Sequence, residues 1–234
     1  MDDNKVFDLG LGRAEVSKRS FISAVYFWMS AGLALTGVVA LWMSASPNVV
    51  MGLARNPFLM FMLFLIQMGL VFGLSAAVMR IDTGVATFCF GLYAVLNGIL
   101  FSGIFLVYTG ASIAATFFVT AGTFAGLSVY GFTTKQDLTS VGSFCIMGIW
   151  GLILGTLVNW FFKSPAFDWI LTYIGIALFV GLTASDTQKI KRLHEQGVQE
   201  NGVFQKMALI GALMLYLDFI NLFLLMLRVM GRRK

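Results

Sequence analysis

Seven apolar runs, each long enough to cross a bilayer and divided by short polar breaks, constrain this chain more than any other feature. They cover roughly Phe21–Met43, Phe58–Met79, Val85–Tyr108, Ala111–Thr133, Val141–Phe162, Ala166–Gln188 and Phe204–Leu227. A helix needs about 20 apolar residues to span a ~30 Å hydrocarbon layer. A transmembrane strand needs only about ten, alternating in character. These runs do not alternate, so the sequence predicts an all-α integral membrane protein of seven transmembrane helices. Only 12% of the residues are charged, about half the share in a soluble domain, which excludes soluble globular and disordered readings. The expected organisation is a tail over 1–20, a seven-helix domain over 21–230 and a basic tail over 231–234.

The breaks are specific. Pro47, Pro57 and Pro165 all fall between runs, where they punctuate helices rather than kink them. The Thr109-Gly110 link is so short that the third and fourth helices must form an antiparallel hairpin. The first run exceeds the 7–15 apolar residues of a cleaved leader, so a signal anchor is expected. Cys89 and Cys145 sit in apolar runs and read as packing residues. Gly69-xxx-Gly73, Gly122-xxx-Gly126 and Gly151-xxx-Gly155 place small residues one turn apart, which predicts close helix packing within the bundle.

Charge sets the orientation. Lys5, Arg13, Lys18, Arg19, Arg80, Lys135, Lys189, Lys191, Arg192 and Lys206 fall on one side of a seven-crossing chain, against Arg55 and Lys163 on the other. The N-terminus is therefore expected in the cytoplasm of a cell-membrane protein. Arg228, Arg232, Arg233 and Lys234 disagree, because a full seventh crossing puts them outside. A re-entrant last segment with an inward C-terminus is the alternative. The net charge of +5 speaks to headgroups at the membrane edge and not to nucleic acid.

Two intramembrane carboxylates carry the chemistry. Asp218 lies well inside the seventh run and Asp186 near the end of the sixth. A carboxylate at a helix centre costs at least ~2.5 kcal/mol, so it faces a bundle interior or a wet cavity. The two runs are antiparallel and joined by a turn bracketed by Glu195 and Gly202, which brings both aspartates to similar depth. Two carboxylates in contact in a low-dielectric interior cannot both stay ionised cheaply. The pair shares a proton and becomes a pH-sensitive element. Lys189 stands beside Asp186 and offers an interfacial reading of that residue. Arg80 ends the second helix on the same side and is the expected latch, with Asp82 as a competing local partner and membrane-surface snorkelling as the bland reading. Asn221 shares the helix face of Asp218 and, with Asn97, is a candidate for lining a path. Gln67 and Asn159 read as helix–helix hydrogen bonds. His194, in the charged loop, reads as solvent-exposed, and no metal cluster is visible. Asp186 and Asp218 offer the oxygen ligands that a hard divalent cation takes. The residues alone thus reach a pore or transporter with a buried acidic pair.

At this point a family resemblance enters. Phe179–Ile190, containing Leu182-Thr183-Ala184-Ser185-Asp186-Thr187-Gln188-Lys189, resembles the sixth-helix signature of the Bax inhibitor-1 family, the transmembrane BAX inhibitor motif proteins. Tyr216-Leu217-Asp218-Phe219-Ile220-Asn221-Leu222-Phe223 resembles its seventh-helix signature. Thr133–Ser140 is similar to its loop between helices four and five, and Asn97-Gly98 fits helix three. The resemblance covers nearly the whole chain and is nearest to bacterial inner-membrane members. It implies a bundle in which the other six helices wrap the last. It also implies a pH-sensitive calcium leak with Asp186 and Asp218 as sensor pair and Arg80 matching the family's arginine by position. Calcium would be a permeant ion rather than a cofactor, and the expected partners are the lipid bilayer, calcium ions, protons and a membrane protease complex.

Two other classes compete. A non-conducting scaffold that regulates a membrane protease would use the same fold. An intramembrane aspartyl protease also carries two aspartates on its sixth and seventh helices, but needs Gly-x-Gly-Asp, Tyr-Asp and Pro-Ala-Leu elements. Here Thr183-Ala184-Ser185 and Leu215-Tyr216-Leu217 precede the aspartates. A rhomboid-type site needs an intramembrane histidine, and the single histidine is in a loop. The expectation is no enzyme.

Overall fold

Prolines and side-chain caps set where the helices begin. Pro47, Pro57 and Pro165 each open one: α2 (Pro47–Ala54), α3 (Pro57–Ala77) and α8 (Pro165–Glu195). A proline lacks the N–H that a first turn leaves unused, and its fixed φ suits the position. Asn56 caps α3 by accepting from Leu59 N at 3.2 Å. Asp82 caps α4 (Thr83–Phe101) by accepting from Gly84 N at 2.8 Å, so it serves that helix and not Arg80. Thr109 caps α6 (Gly110–Thr133) through Ser112 N at 3.3 Å. The remaining elements are α1 (Asp3–Ser44), α5 (Ile104–Val107), α7 (Thr139–Phe162) and α9 (Asn201–Met230). The computed structural model describes the backbone of residues 3–195 and 201–234, and the side chains of 21–193 and 203–234. The turn near Gly197–Gly202, the side chains of the 1–20 tail and His194 lie outside them.

Seven stretches, from Phe21–Ser44 to Val203–Met230, are long and apolar enough to cross a membrane, each overlapping an expected run. Among the described residues there is no strand, only an isolated bridge. Two features differ from expectation. The connection after α1 holds the short helix α2. The third run is not one helix: it breaks at Ser102 and Gly103 before α5, with Ser102 Oγ donating to Ile99 O at 2.6 Å.

The last helix is central. In α9, 61% of the most apolar window is buried, against 39% for α8 and 11% for α3 and α7. Helix α9 packs on α1, α4, α6 and α8, while α3 leans on α4 and α7 on α8. Apolar residues on every side of α9, among them Leu209, Leu213, Leu215, Phe219 and Leu222, are buried, the pattern of a helix enclosed all round. Tyr216 stacks edge-on against Phe90 and Tyr93 of α4, and Phe219 against Phe117 and Phe124 of α6.

The expected glycine packing is corrected. Gly69, Gly73, Gly122, Gly126 and Gly151 have nothing within 4 Å of where a Cβ would stand, and of those pairs only Gly155 packs, under Leu171. The close approaches use other glycines: Gly98 against Val39, Gly131 against the Ala184 carbonyl, Gly142 against Ser185.

The re-entrant alternative is also corrected. Helix α9 runs unbroken to Met230, and the tail folds onto the α5–α6 link. Thr109 N donates to Arg232 O at 3.1 Å, Lys234 N to Val107 O at 2.9 Å and Arg232 N to Ser112 Oγ at 2.9 Å. The bundle thus has a tail end, with the C-terminus and the 45–56, 108–109 and 163–164 connections, and a hairpin end, with the α6–α7 connection, the last turn of α8 and the first turn of α9.

Candidate functional site

Toward the hairpin end α8 is buried continuously from Thr183 to Gln188. The cause is local: Gly131 of α6 meets the Ala184 carbonyl, Gly142 of α7 meets the Ser185 hydroxyl, and Gly181 of α8 meets Cys145 Sγ. Any side chain at the first two would collide with backbone or a clamped hydroxyl. Small residues therefore let α6 and α7 close on α8 and carry Asp186 into the interior.

Asp186 is 6% exposed and Asp218 3%. Asp186 Oδ1 accepts from Lys189 Nζ at 2.7 Å, across one turn of α8. Asp186 and Lys189 both lie within electrostatic range of Asp218. Among the described residues Asp218 Oδ2 has no hydrogen-bond partner, and the buried Thr187 hydroxyl also has none. The structure thus buries the two sequence-predicted aspartates in one region of the bundle, within electrostatic range of each other, with the Lys189 ammonium bonded to Asp186.

Arg80 is not part of this group. It lies in the turn after α3, exposed, and its side chain makes no hydrogen bond or ion pair among the described residues. The cation bonded to Asp186 is Lys189. The signal was present in the sequence: an acid and a base three residues apart on one helix meet on one face. Arg80 differs because it stands exposed in the turn between α3 and the Asp82 cap of α4, away from the buried stretch of α8.

The intramembrane amides are also redistributed. Asn221 Nδ2 donates to Leu217 O at 2.8 Å and Asn97 Nδ2 to Tyr93 O at 3.0 Å, each on its own helix. Asn159 Oδ1 accepts from Ser164 N at 3.0 Å and closes the α7–α8 link. Gln67 is buried with its Nε2 unpartnered among the described residues. None of these bonds joins two spanning helices.

Sequence reasoning missed a clamp around the pair. Gln188 Oε1 accepts from Leu138 N at 2.8 Å, its Nε2 donates to Gln136 O at 2.8 Å, and Ser185 Oγ donates to Leu138 O at 3.2 Å. Arg192 donates to Asp137 Oδ1 at 2.7 Å and to Thr139 Oγ1 at 2.9 Å, and Lys191 to Phe132 O at 2.9 Å. Ser185, Gln188, Lys191 and Arg192 of α8 therefore grip the α6–α7 loop and the helix ends that flank it. The two stretches that carry the family resemblance, Thr133–Ser140 and Phe179–Ile190, are one structural unit.

Comparison with known proteins agrees with this layout. The sequence pattern described as "Inhibitor of apoptosis-promoting Bax1" matches residues 18–234. The inner membrane protein YbhL of Escherichia coli K12 is 47% identical over 218 residues, 92% of this chain and 93% of that one. A protein of Borreliella burgdorferi is 42% identical over 217 residues, covering 93% and 94%. One of Deinococcus radiodurans is 40% identical over 215 residues, covering 92% and 91%. With both aspartate motifs, the seven apolar helices and a match over nearly its whole length, the chain belongs to the Bax inhibitor-1 family of multi-pass membrane proteins.

Proposed function

We propose that this protein is a non-enzymatic, pH-sensitive cation leak of the bacterial inner membrane, with calcium as a permeant ion. Asp186 and Asp218 form its acidic constriction and Lys189 is the internal cation that holds it closed. The observation that carries the reading is the charge balance at the site: two buried carboxyl groups, one lysine, and a carboxylate oxygen of Asp218 with no donor among the described residues. A buried charge without a partner is costly, so a proton or a passing cation completes the set. Protons act in two opposing ways. Protonating Asp186 releases Lys189, while protonating both aspartates removes the attraction for a divalent ion. Calcium leak should therefore rise as pH falls from about 8 and decline again at lower pH. The test is calcium-dye flux in liposomes for wild type, Asp186→Asn, Asp218→Asn and the double variant. Single-variant effects that add independently would mean separate sites, and a wild-type profile in the double variant would sink the pair.

In this reading the hairpin end faces the cytoplasm, with the excess of lysine and arginine. Reporters at 134–138 should read inside, and reporters at 46–56 and at the C-terminus should read outside.

A regulatory scaffold is the second reading. It is favoured by Gly69, Gly73, Gly122 and Gly126, which leave open helix faces that a partner's transmembrane helix could approach. Full calcium flux from the purified protein alone would decide for the leak.

A further inference from the structure

The basic residues at the tail end run against the charge pattern that orients the rest of the chain, and the proposed leak gives them no part. Their surroundings differ from one another. Arg228, in the last turn of α9, pairs with Asp168 in the first turn of α8, and each charge suits the dipole of its own helix. Lys234 Nζ donates to Phe105 O at 2.8 Å. Arg233 has no side-chain partner among the described residues. It lines a cavity of about 440 Å³ together with Asp168, Trp169 and Arg228. A second cavity of about 370 Å³ adjoins it, sharing Pro165 and Asp168 and lined also by Lys163 and Trp160. Three cations and one carboxylate thus surround a double hollow, leaving two positive charges in excess.

The position selects the ligand. The hollow lies where α7 ends and α8 begins, at the level where spanning helices leave the hydrocarbon. Trp160 and Trp169 flank it, exposed at 72% and 45%, and indole rings favour the headgroup level. Below it α7 presents Leu157 and Phe161 outward, a surface for acyl chains. We propose that this double cavity binds the phosphate of an anionic phospholipid, with Arg233 and Lys163 as its cationic ligands and the Arg228–Asp168 pair as its floor. The C-terminal charges then stand at this end because they hold lipid rather than because they set topology.

The experiment is native mass spectrometry of the full-length detergent-purified protein with phosphatidylglycerol against phosphatidylcholine, and with inorganic phosphate alone. Wild type should retain phosphatidylglycerol preferentially. Arg233→Gln should lower that preference about fivefold, the worth of one basic charge near an anionic headgroup, and Lys163→Gln should lower it too. The Arg233 side chain has no hydrogen bond or ion pair to lose among the described residues, so its variant should keep the wild-type melting temperature in phosphatidylcholine. Lys135→Gln, which removes a charge at the opposite end, should leave the preference intact. No lipid preference in wild type, an unchanged preference in Arg233→Gln, or an equal loss in Lys135→Gln would each overturn the site. Inorganic phosphate displacing the lipid at equal concentration would assign the cavity to a soluble anion and overturn the lipid reading.

Discussion

Lys189 Nζ lies 2.7 Å from Asp186 Oδ1, one turn along the same helix, while Asp218 keeps a buried oxygen without a donor among the described residues. The lysine side chain is 38% exposed and the aspartate 8%, so the pair is partly screened and its worth is discounted to about 1 kcal/mol. That still moves a closed–open equilibrium about fivefold. Lys189→Met should raise calcium leak at pH 7 to 8 by about that factor, whereas Arg80→Ala should leave it within error. Liposome flux on both variants checks this. The reverse ranking would return the latch to Arg80.

The two classes of glycine should separate cleanly by stability. Gly131→Ala sets a methyl against the Ala184 carbonyl, and Gly142→Ala sets one against the Ser185 hydroxyl. The Ala184 backbone cannot yield as a flexible side chain does, and the Ser185 hydroxyl is tied to Leu138 O, so each should cost about 1–3 kcal/mol. Gly122→Ala and Gly126→Ala meet nothing and gain up to ~1 kcal/mol of helix propensity. Thermal unfolding in one detergent should place the first pair below wild type and the second at or above it.

That contrast also shows what the sequence could and could not disclose. Run lengths located all seven spans, and Pro57 and Pro165 marked the starts of α3 and α8, because bilayer thickness and proline geometry act locally; the short α2 behind Pro47 was not legible. The faces were not legible. Lipid and core are both apolar, so Gly69 or Gly122 reads the same whether it meets a helix or the bilayer. Asn97 and Asn221 likewise bond their own helices because an i−4 carbonyl is always within reach. The aspartates were legible because a buried carboxylate is rare enough to need a reason. The Gln188–Leu138 clamp was not, since a glutamine near a helix end has no distinctive pattern.

The loop in that clamp predicts a negative result. Asp137 is held at about 2, chiefly by the Thr139 hydroxyl and backbone N–H and then by Arg192, below the ~3.9 of an ordinary aspartate. A depressed value means its contribution is complete above about pH 4 and lost as pH falls toward 2. Nothing between pH 5 and 8 can come from it. Asp137→Asn should leave the shape of the flux–pH curve unchanged in that window. It should also loosen the loop, so trypsin should cut after Lys135 faster than in wild type. A shifted flux curve would mean that the loop, not the acidic pair, sets the pH response.

A hydroxyl relay fixes the register of the helix that carries Asp218. Thr36 Oγ1 donates to Ala94 O at 2.9 Å and lies 2.7 Å from Tyr216 Oη. A hydroxyl has one proton, and Thr36 spends its own on Ala94. Tyr216 is therefore the donor to Thr36. The relay joins α9 to α1 and α4 two residues from Asp218, and Tyr216 is fully buried. The two ends are not equivalent. Tyr216→Phe removes one hydrogen bond and leaves Thr36 bonded to Ala94, which should cost about 0.5–1.5 kcal/mol. Thr36→Val keeps the shape but strands a buried phenol without an acceptor, which should cost about 1–3 kcal/mol. Thermal unfolding should rank wild type above Tyr216→Phe and Tyr216→Phe above Thr36→Val. The double variant should recover part of the Thr36→Val loss, because it removes the stranded group. A double variant as unstable as the sum of the singles would mean that the two hydroxyls act separately and that no relay holds α9 in place.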